Sequence, residues 1–462
     1  MRLLHAPSRT HAGFDDVNLV SSAGLVPVMR LAERCGLPGL IGDHVQVADR
    51  LGVNAPVKIG SIVAGMVAGA DSIDDLDVVR HGGMGRLFGG VRAPSTLGSF
   101  LRCLSWGNAR QIEKVGRLVL GRLAGQASLL PGAETLAFVD IDSTQKRVYG
   151  PAKQGAGFGH TKIQGRSVLV RGLNALAATI STPTAAPVIA AARLRGGTAN
   201  SARGAASFVA EAIGAARQAG CSGTLIVRGD SAYYSGVVVA ACRRADARYS
   251  FTVTIDAKVR AAIAAIAADA WRPIRYPKAV WDEDGQRWIS DAEVAETSYT
   301  AFAGKARHRT TARLIVRRVK DLAAQEELFP VWRHHAIFTD NPHELIQAET
   351  QHRGHAIIEQ TFADLYAGPL AHLPSGHFAA NAAWLACAAI AHNLLRAAGA
   401  LASTFHAKAR GATLRRHLVA VPARLARHGR GQITLHLPGH WPWQTAWENL
   451  FTATHRAPPD AA

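Results

Sequence analysis

The chain has 462 residues, of which 48% are hydrophobic and 6% aromatic. This composition excludes an intrinsically disordered chain, and the length suffices for two to four domains of roughly 150 residues each. The formal net charge of +18 and the pI near 10.3 favour a polyanionic partner, with an anionic membrane surface as the weaker alternative.

Features of secreted and membrane proteins are not expected. The five cysteines are scattered, odd in number and without Cys-x-x-Cys spacing, which indicates neither a disulfide framework nor a zinc site and favours a reducing cytoplasm. The first 18 residues carry polar side chains where a signal peptide would be apolar. The longest apolar stretch, residues 378–395, contains Asn381 and His392 and predicts a buried helix rather than a membrane span.

The periodicity changes along the chain and predicts an α/β protein. Helical spacing over residues 23–125 predicts an all-helical domain at residues 1–130. Residues 131–256 then alternate strands with helices, which indicates a mixed sheet with helices packed on it. Strands are predicted at residues 136–141, 166–170, 187–194, 225–229 and 249–255, with helices at 202–219 and 237–245.

Three further segments follow from the pattern. Residues 257–348 are rich in strand signals and tryptophan, which predicts an inserted β-rich subdomain. Residues 349–400 return to helical spacing, and residues 401–462 form a basic tail. Within the first part of the sheet, the Gly-rich and basic residues 146–164 predict a long hairpin tip.

The tail predicts a phosphate-contacting surface. Residues 366–446 contain no Asp or Glu and carry several Arg and Lys residues. Such a charge run is about as often a plain solvated face, but the absence of acids over so long a span favours contact with a polyanion. The candidate DNA-binding residues in the tail and the hairpin tip are Arg415, Arg416, Arg424, Lys146, Arg147 and Lys162.

Acidic residues follow two predicted strands and lie on one helix. Asp140 and Asp142 alternate with Val139 and Ile141, so both carboxylates project from the same side of a strand. Asp230 ends a second strand, and Glu359 lies within a helical stretch. Three such carboxylates can hold the divalent cations that phosphodiester cleavage uses.

Simpler interpretations of these acids remain open. Asp140 or Asp142 could merely end a strand, Asp230 could cap the segment beyond it, and Glu359 could be an ordinary exposed helical glutamate. Strand geometry does not choose between Asp140 and Asp142, because they share a face.

The motifs together resemble a DDE transposase of bacterial insertion sequences, most closely the insertion-sequence thirteen-eighty family. The resemblance covers nearly the whole chain. It is carried by Asp-Ile-Asp-Ser-Thr at residues 140–144, Arg-Gly-Asp-Ser-Ala-Tyr at 228–233, Ala-Ile-Phe-Thr-Asp-Asn at 336–341, Glu359 with residues 373–384, and Ile-Thr-Leu-His-Leu-Pro-Gly-His-Trp-Pro-Trp at 433–443.

The resemblance implies an RNase H-like catalytic core and cut-and-paste transposition that depends on Mg²⁺, with two ions and Mn²⁺ as a possible substitute. By position, Asp142, Asp230 and Glu359 are the catalytic and metal-binding acids, and Asp140 is a possible accessory acid. The implied partners are double-stranded terminal inverted repeats and target DNA. The resemblance also implies a homodimer on the ends, end recognition by the helical N-terminal domain, no membrane, and a location at the bacterial nucleoid.

The helix around Glu359 departs from the pattern of related transposases. Those proteins carry Tyr, Arg and Lys at positions where this chain has His352, His355 and Tyr366. Arg353 could substitute in space, and histidines can contact phosphate, so Arg353, His352 and His355 are candidate DNA-binding residues. Two rival functions follow: an RNase H-like nuclease that cuts without strand transfer, and an inactive DNA-binding derivative.

Overall fold

The computed structural model describes residues 1, 4–163, 166–200, 202–277, 279–320 and 331–456. It is a mixed α/β protein in which helices surround one large sheet. The α-helices are α1 (Leu25–Arg34), α2 (Leu37–His44), α3 (Ala55–Ala68), α4 (Met84–Leu87), α5 (Pro94–Cys103), α6 (Trp106–Gln126), α7 (Ala205–Gln218), α8 (Gly236–Arg244), α9 (Ala257–Ala264), α10 (Leu345–Arg353), α11 (Ile358–Tyr366), α12 (Phe378–Ala402), α13 (Thr404–Lys408), α14 (Gly411–Leu414) and α15 (Gln444–His455).

The strands confirm the change of period that the sequence indicates. They are β1 (Leu19–Val20), β2 (Leu136–Arg147), β3 (Gly157–Ile163), β4 (Arg166–Ser181), β5 (Val188–Arg195), β6 (Thr224–Gly229), β7 (Arg248–Val253), β8 (Arg272–Pro273), β9 (Val280–Asp282), β10 (Arg287–Ile289), β11 (Ala292–Ala301), β12 (Thr310–Lys320), β13 (Trp332–Thr339), β14 (Ala423–Arg427) and β15 (Ile433–His436).

The strand β2 lies at the centre of the sheet that positions the acidic residues. It pairs antiparallel with β4 on one side and parallel with β6 on the other, and β6 pairs parallel with β7. Among the described residues the sheet has ten strands, in the order β3-β4-β2-β6-β7-β13-β12-β11-β8, with β5 also paired to β4. The centre is apolar, since Val139 and Ile141 on the face opposite the two aspartates are completely buried.

The strands of residues 257–348 extend this sheet rather than standing apart from it. β13 pairs antiparallel with β7, and β12 and β11 follow outwards. A separate hairpin, β9 with β10, was not predicted from the sequence. The core sheet and these strands therefore share one continuous surface on each face.

The predicted hairpin tip at residues 146–164 is wrong over part of its length. β2 runs on to Arg147, and Gly157–Ile163 forms β3, which pairs with β4. Glycines of β3 permit close backbone approach instead of marking a loop: a Cβ on Gly159 would lie 2.8 Å from the carbonyl oxygen of Gly197.

The helix α12 is the centre of the helical part of the protein. It packs on α3, α5, α6 and β5, and the C-terminal helices α13 and α15 pack on it as well. It is long and apolar enough to cross a membrane, but 89% of its most apolar window is buried inside the protein. The prediction of a buried helix at residues 378–395 is confirmed.

The basic tail is folded against the N-terminal helices. β14 pairs with β1, so that Leu19 lies opposite Arg424, and α15 packs on α1. The tail and the N-terminal segment thus belong to one packed body, joined through α12. The division of the chain into the five predicted segments stays a prediction.

One side chain of α12 completes the edge of the core sheet. Among the described strands β5 pairs with β4 alone, and Asn393 of α12 lies along its other side. The Asn393 Oδ1 atom accepts from the backbone N–H of Ile189 at 2.8 Å, and Nδ2 donates to the Ile189 carbonyl oxygen at 2.8 Å. The amide therefore satisfies both backbone groups in a buried place.

We expect Asn393→Leu to lower the free energy of unfolding by about 3 kcal/mol, because it leaves a buried N–H and a buried C=O without partners. Denaturant unfolding of the purified variant measures this loss. Gln432→Leu, at an exposed position, is the control and should change stability by less than about 0.5 kcal/mol. Equal stability of the two variants would contradict the assignment.

Candidate active site

Two of the predicted acids lie side by side where adjacent strands end. β2 and β6 are parallel, with Asp140 opposite Arg228 and Ile141 opposite Gly229, so Asp142 and Asp230 come next in register. Asp230 also caps the turn at Ser231–Tyr233, because its Oδ1 atom accepts from the N–H of Ala232 at 3.0 Å. Asp230 therefore does cap the turn that follows it, as one of the simpler interpretations expected, and it does so at a position next to Asp142.

The third acid lies on the same face of the sheet. Ala177 on β4 is opposite Asp142, so the two side chains share a face. Ile358 and Phe362 of α11 pack on Ala177, which places the first turn of α11 over this face. Glu359 is in that turn, and its side chain is exposed. The sheet and the helix thus bring together three residues separated by more than 200 positions in the sequence.

Asp142 senses the charge of the other two acids. Burial, and to a smaller extent the negative charges of Asp230 and Glu359, raise the pKa of Asp142 to about 6 against the opposing effects of the Ser143 N–H and of His355. The N–H of Ser143 donates to the Asp142 Oδ1 atom at 2.6 Å. A cation bound beside Asp142 would stabilise its ionised form against both burial and the neighbouring negative charges.

The chemistry of these donors fits a hard divalent cation, which prefers carboxylate oxygens. Their arrangement is looser than a finished metal site: within the described part of the chain, no three His, Cys, Asp or Glu side chains lie close enough to hold an ion as they stand. Asp230 and Glu359 are exposed, so their side chains can turn towards Asp142 without disturbing the core.

Asp140 has a different environment from Asp142, although the two share a face. It is completely buried and forms a two-point ion pair with Arg228, at 2.7 Å from Nε to Oδ1 and 2.8 Å from Nη2 to Oδ2. His355 Nδ1 lies 3.1 Å from the same Oδ1 atom. Burial alone would raise the pKa of Asp140, but the charge of Arg228 and the hydrogen bonds outweigh it and lower the pKa. Asp140 therefore links β2 to Arg228 of β6 and to His355, which is a structural role in the site.

Most of the candidate DNA-binding residues around α10 and α11 form hydrogen bonds or ion pairs with other residues of the protein. His352 is buried between β7 hydroxyls, with Nδ1 at 2.9 Å from Ser250 Oγ and Nε2 at 3.0 Å from Thr252 Oγ1. Burial lowers the pKa of His352 to about 3, so the ring is neutral. Arg353 Nε donates to the buried Glu349 at 2.9 Å.

His355 lies nearest the three acids. Burial opposes its positive charge, but the hydrogen bond and the charge of Asp140 prevail and raise the pKa of His355. The imidazolium then faces Asp140 and contributes positive charge beside Asp142. Of the histidines at the unusual positions, His355 is the one that the structure brings to the acids.

Tyr366, at the third unusual position, packs against Thr144 and Lys146, which follow Asp142 on the same face of β2. Its hydroxyl lies 2.7 Å from Thr144 Oγ1 on β2, and the Lys146 ammonium lies 4.8 Å from the centre of its ring. Asp142, Thr144 and Lys146 occupy alternate positions of β2 and therefore follow one another along the same face.

The remaining basic candidates are spread over the surface. Arg147 lies over the ring of Tyr149 at 5.1 Å, Arg415 donates to the carbonyl of Ala367 at 2.9 Å, and Arg416 is exposed. Arg424 forms an exposed ion pair with Asp16 at 3.2 Å. The side chain of Lys162 lies outside the described part of the structure.

The buried ion pairs of two acids, Asp140 and Glu349, were missed in the sequence. Arg228 lies two residues before Asp230, and strand alternation puts the two on one face, but the register that brings Arg228 opposite Asp140 depends on how β2 pairs with β6. Glu349 is fully buried and contacts Arg317 of β12 at 2.6 Å as well as Arg353. No local signal in the sequence indicates that pair, because it depends on where α10 meets the extended sheet.

Comparison with known proteins adds one finding. The family model described as Transposase DDE domain group 1 matches residues 5–459. A search of curated proteins found no match.

We expect Arg228→Met to lower the free energy of unfolding by about 3–5 kcal/mol, because it leaves the buried Asp140 carboxylate without its partner. Chemical denaturation measures the loss, and Arg244→Met on the exposed end of α8 is the matched control. The double variant Asp140→Leu/Arg228→Met should recover part of the loss, since it buries no unpaired charge. A fully stable Arg228→Met protein would rule out the structural role of the pair.

The raised pKa of Asp142 predicts a pH-dependent effect of Asp142→Asn. Because the folded-state pKa of about 6 exceeds the ordinary value of 3.8, the protonated carboxyl stabilises the fold below about pH 4, and this contribution disappears as the pH rises through 6. Asp142→Asn should therefore raise stability by about 2 kcal/mol at pH 8 and change little at pH 4, in metal-free buffer. Thermal unfolding at both pH values measures the difference, with the exposed Asp284→Asn as control. An equal effect at both pH values would contradict the raised pKa.

Proposed function

We propose that this protein cleaves DNA at the ends of its own insertion sequence and joins the freed 3′-hydroxyls to target DNA. The premise is that the chain belongs to the family of transposases with a DDE domain. One observation supports this proposal: Asp142, Asp230 and Glu359 lie on one face of the sheet, and the charges of Asp230 and Glu359 act on the pKa of Asp142. Acids on two adjacent strands and one helix provide the donor set for such chemistry.

In this proposal Asp142, Asp230 and Glu359 hold Mg²⁺, as two ions, with Mn²⁺ as a possible substitute. When bound, the ions activate the attacking water or 3′-hydroxyl and stabilise the leaving oxygen. The raised pKa of Asp142 supports this assignment, because burial and the charges of Asp230 and Glu359 disfavour a bare carboxylate there, and a bound cation would stabilise it.

The residues around the acids orient them and receive the phosphate. The ion pair of Asp140 with Arg228 fixes the end of β6, from which Asp230 projects. His355 adds positive charge at the edge of the site, where it can face a phosphate oxygen. Arg353 and His352 contact other side chains of the protein instead. We therefore place the phosphate contacts at His355, Lys146 and Arg147 and at the exposed arginines of the tail, Arg416 and Arg424.

The finer features of the proposal follow from the resemblance. They include an RNase H-like core, membership of the insertion-sequence thirteen-eighty family, cut-and-paste transposition, and a homodimer bound to two terminal inverted repeats. End recognition is assigned to the N-terminal helices. The net charge of +18 supports a DNA partner, and a cytoplasmic location at the nucleoid follows from that partner.

We expect Asp142→Asn, Asp230→Asn and Glu359→Gln each to reduce end cleavage at least about 100-fold, because each removes a charged ligand from the site. The substrate is DNA that carries the inverted repeats flanking the gene, assayed with Mg²⁺ and with EDTA. Asp284→Asn and Glu448→Gln, both at exposed positions, are the matched controls and should cleave normally.

The same assay separates the rival functions. Cleavage without joining of pre-cut 3′ ends would identify a nuclease, and specific binding of the ends without cleavage would identify an inactive derivative. Equal cleavage by Asp230→Asn and the unmodified protein would exclude catalysis by these acids.

A further inference from the structure

A basic cleft begins where the acidic face of β2 ends. Its volume is about 780 Å³, and Lys146 and Arg147 of β2 line it together with α5 and the segment at residues 371–374. Lys146 is four residues beyond Asp142 on the same face, which is about 13 Å along a strand. The end of the cleft at Lys146 therefore lies about 13 Å from Asp142 along the same face of β2.

The charge of the cleft suits phosphate. Four cationic side chains line it against one carboxylate, that of Asp74; the cations are Arg102, Lys146, Arg147 and Lys153. Lys153 donates to the carbonyls of Leu373 at 2.6 Å and Ser375 at 2.8 Å, so it fixes one wall rather than facing the space. Arg102, Lys146 and Arg147 supply the charge available to a ligand.

The cleft also offers an aromatic surface. Tyr149 is 72% exposed, and the Arg147 guanidinium lies 5.1 Å from the centre of its ring. An exposed tyrosine stacked with arginine beside a groove of positive charge is the combination with which proteins bind unpaired bases.

The size of the cleft selects between forms of DNA. Sites of roughly 300–1,000 Å³ hold one small organic molecule, and a cleft of about 780 Å³ accommodates about two nucleotides. An intact duplex is too wide to enter. A strand that continues from the acids into the cleft must therefore leave its complement.

We propose that this cleft binds a short unpaired stretch of the DNA strand that passes the acids, with its phosphates on Lys146 and Arg147 and a base on Tyr149. The inference rests on the proposed function and adds that the duplex is opened next to the cleavage site. Lys146, Arg147 and Tyr149 contact the strand, whereas the three acids carry out cleavage, so strand binding and cleavage can be tested separately.

The test measures binding of a fluorescein-labelled single-stranded hexanucleotide to the full chain in EDTA, where no cleavage occurs. Lys146→Met and Tyr149→Ala should each weaken binding about tenfold, whereas Tyr149→Phe retains the ring and should bind normally. Lys258→Met, on the exposed surface of α9, is the matched control for charge. A blunt duplex should bind equally to Tyr149→Ala and to the unmodified protein, and a mononucleotide should compete only weakly.

Hexanucleotide binding that is unchanged in both cleft variants would overturn the inference. So would an equal loss of duplex binding in Tyr149→Ala, which would mean that the tyrosine contacts paired DNA, or competition by a mononucleotide as strong as that by the hexanucleotide. Because the assay needs no metal and no cleavage, selective binding by Lys146 and Tyr149 would stand even if the acids proved inactive. Conversely, if the protein cleaves DNA but the cleft variants bind the hexanucleotide as well as the unmodified protein does, the proposed function would stand and this inference would fail.

Discussion

The geometry of the site depends on buried charges that pair across the sheet. The segment from α10 to α11 crosses one face strand by strand: Glu349 meets Arg317 on β12, His352 meets two hydroxyls on β7, and His355 meets Asp140 on β2. Buried charges are costly when unpaired, so a shift of the helix by one turn would separate Glu349 from Arg317 and His355 from Asp140. The pairs therefore specify a single position for α11, and with it the position of Glu359.

The extended sheet has a consequence for the site. Leu345 and Ala348 of α10 pack on Ile315 and Ile337, which belong to β12 and β13. Those strands are continuous with β7, and so with the strands from which Asp142 and Asp230 project. The strands between the second and third acids are thus a platform for α10, the helix that precedes the one carrying the third acid. Removal of these strands would leave α10 without its apolar support, and Glu359 would lose its fixed approach to Asp142.

Strand alternation and the motifs indicate Asp142 and Asp230 as candidates, because two-residue periodicity is local and needs no knowledge of partners. The same periodicity could not separate Asp142 from Asp140. The difference between them arises from Arg228 on the neighbouring strand, whose register is not written in either segment alone. His352 was placed among DNA contacts for a similar reason: spacing on a helix does not tell which face meets a sheet that forms from residues 100 positions away. The glycines of β3 suggested a loop, although they allow a close approach of neighbouring backbone.

The excess of positive charge does not map simply onto a DNA surface. In the tail, Arg396 is buried and donates to the carbonyls of Ala407 and Ala409, and Arg410 forms an ion pair with Asp364 of α11 at 2.7 Å. These arginines hold the tail against α11 and α12, so part of the charge that suggested phosphate contact is structural. The guanidinium of Arg410 also donates to the carbonyl of Gln360, the residue after Glu359. The tail is thereby joined to the helix that carries the third acid, and its folding and the completion of the site depend on each other.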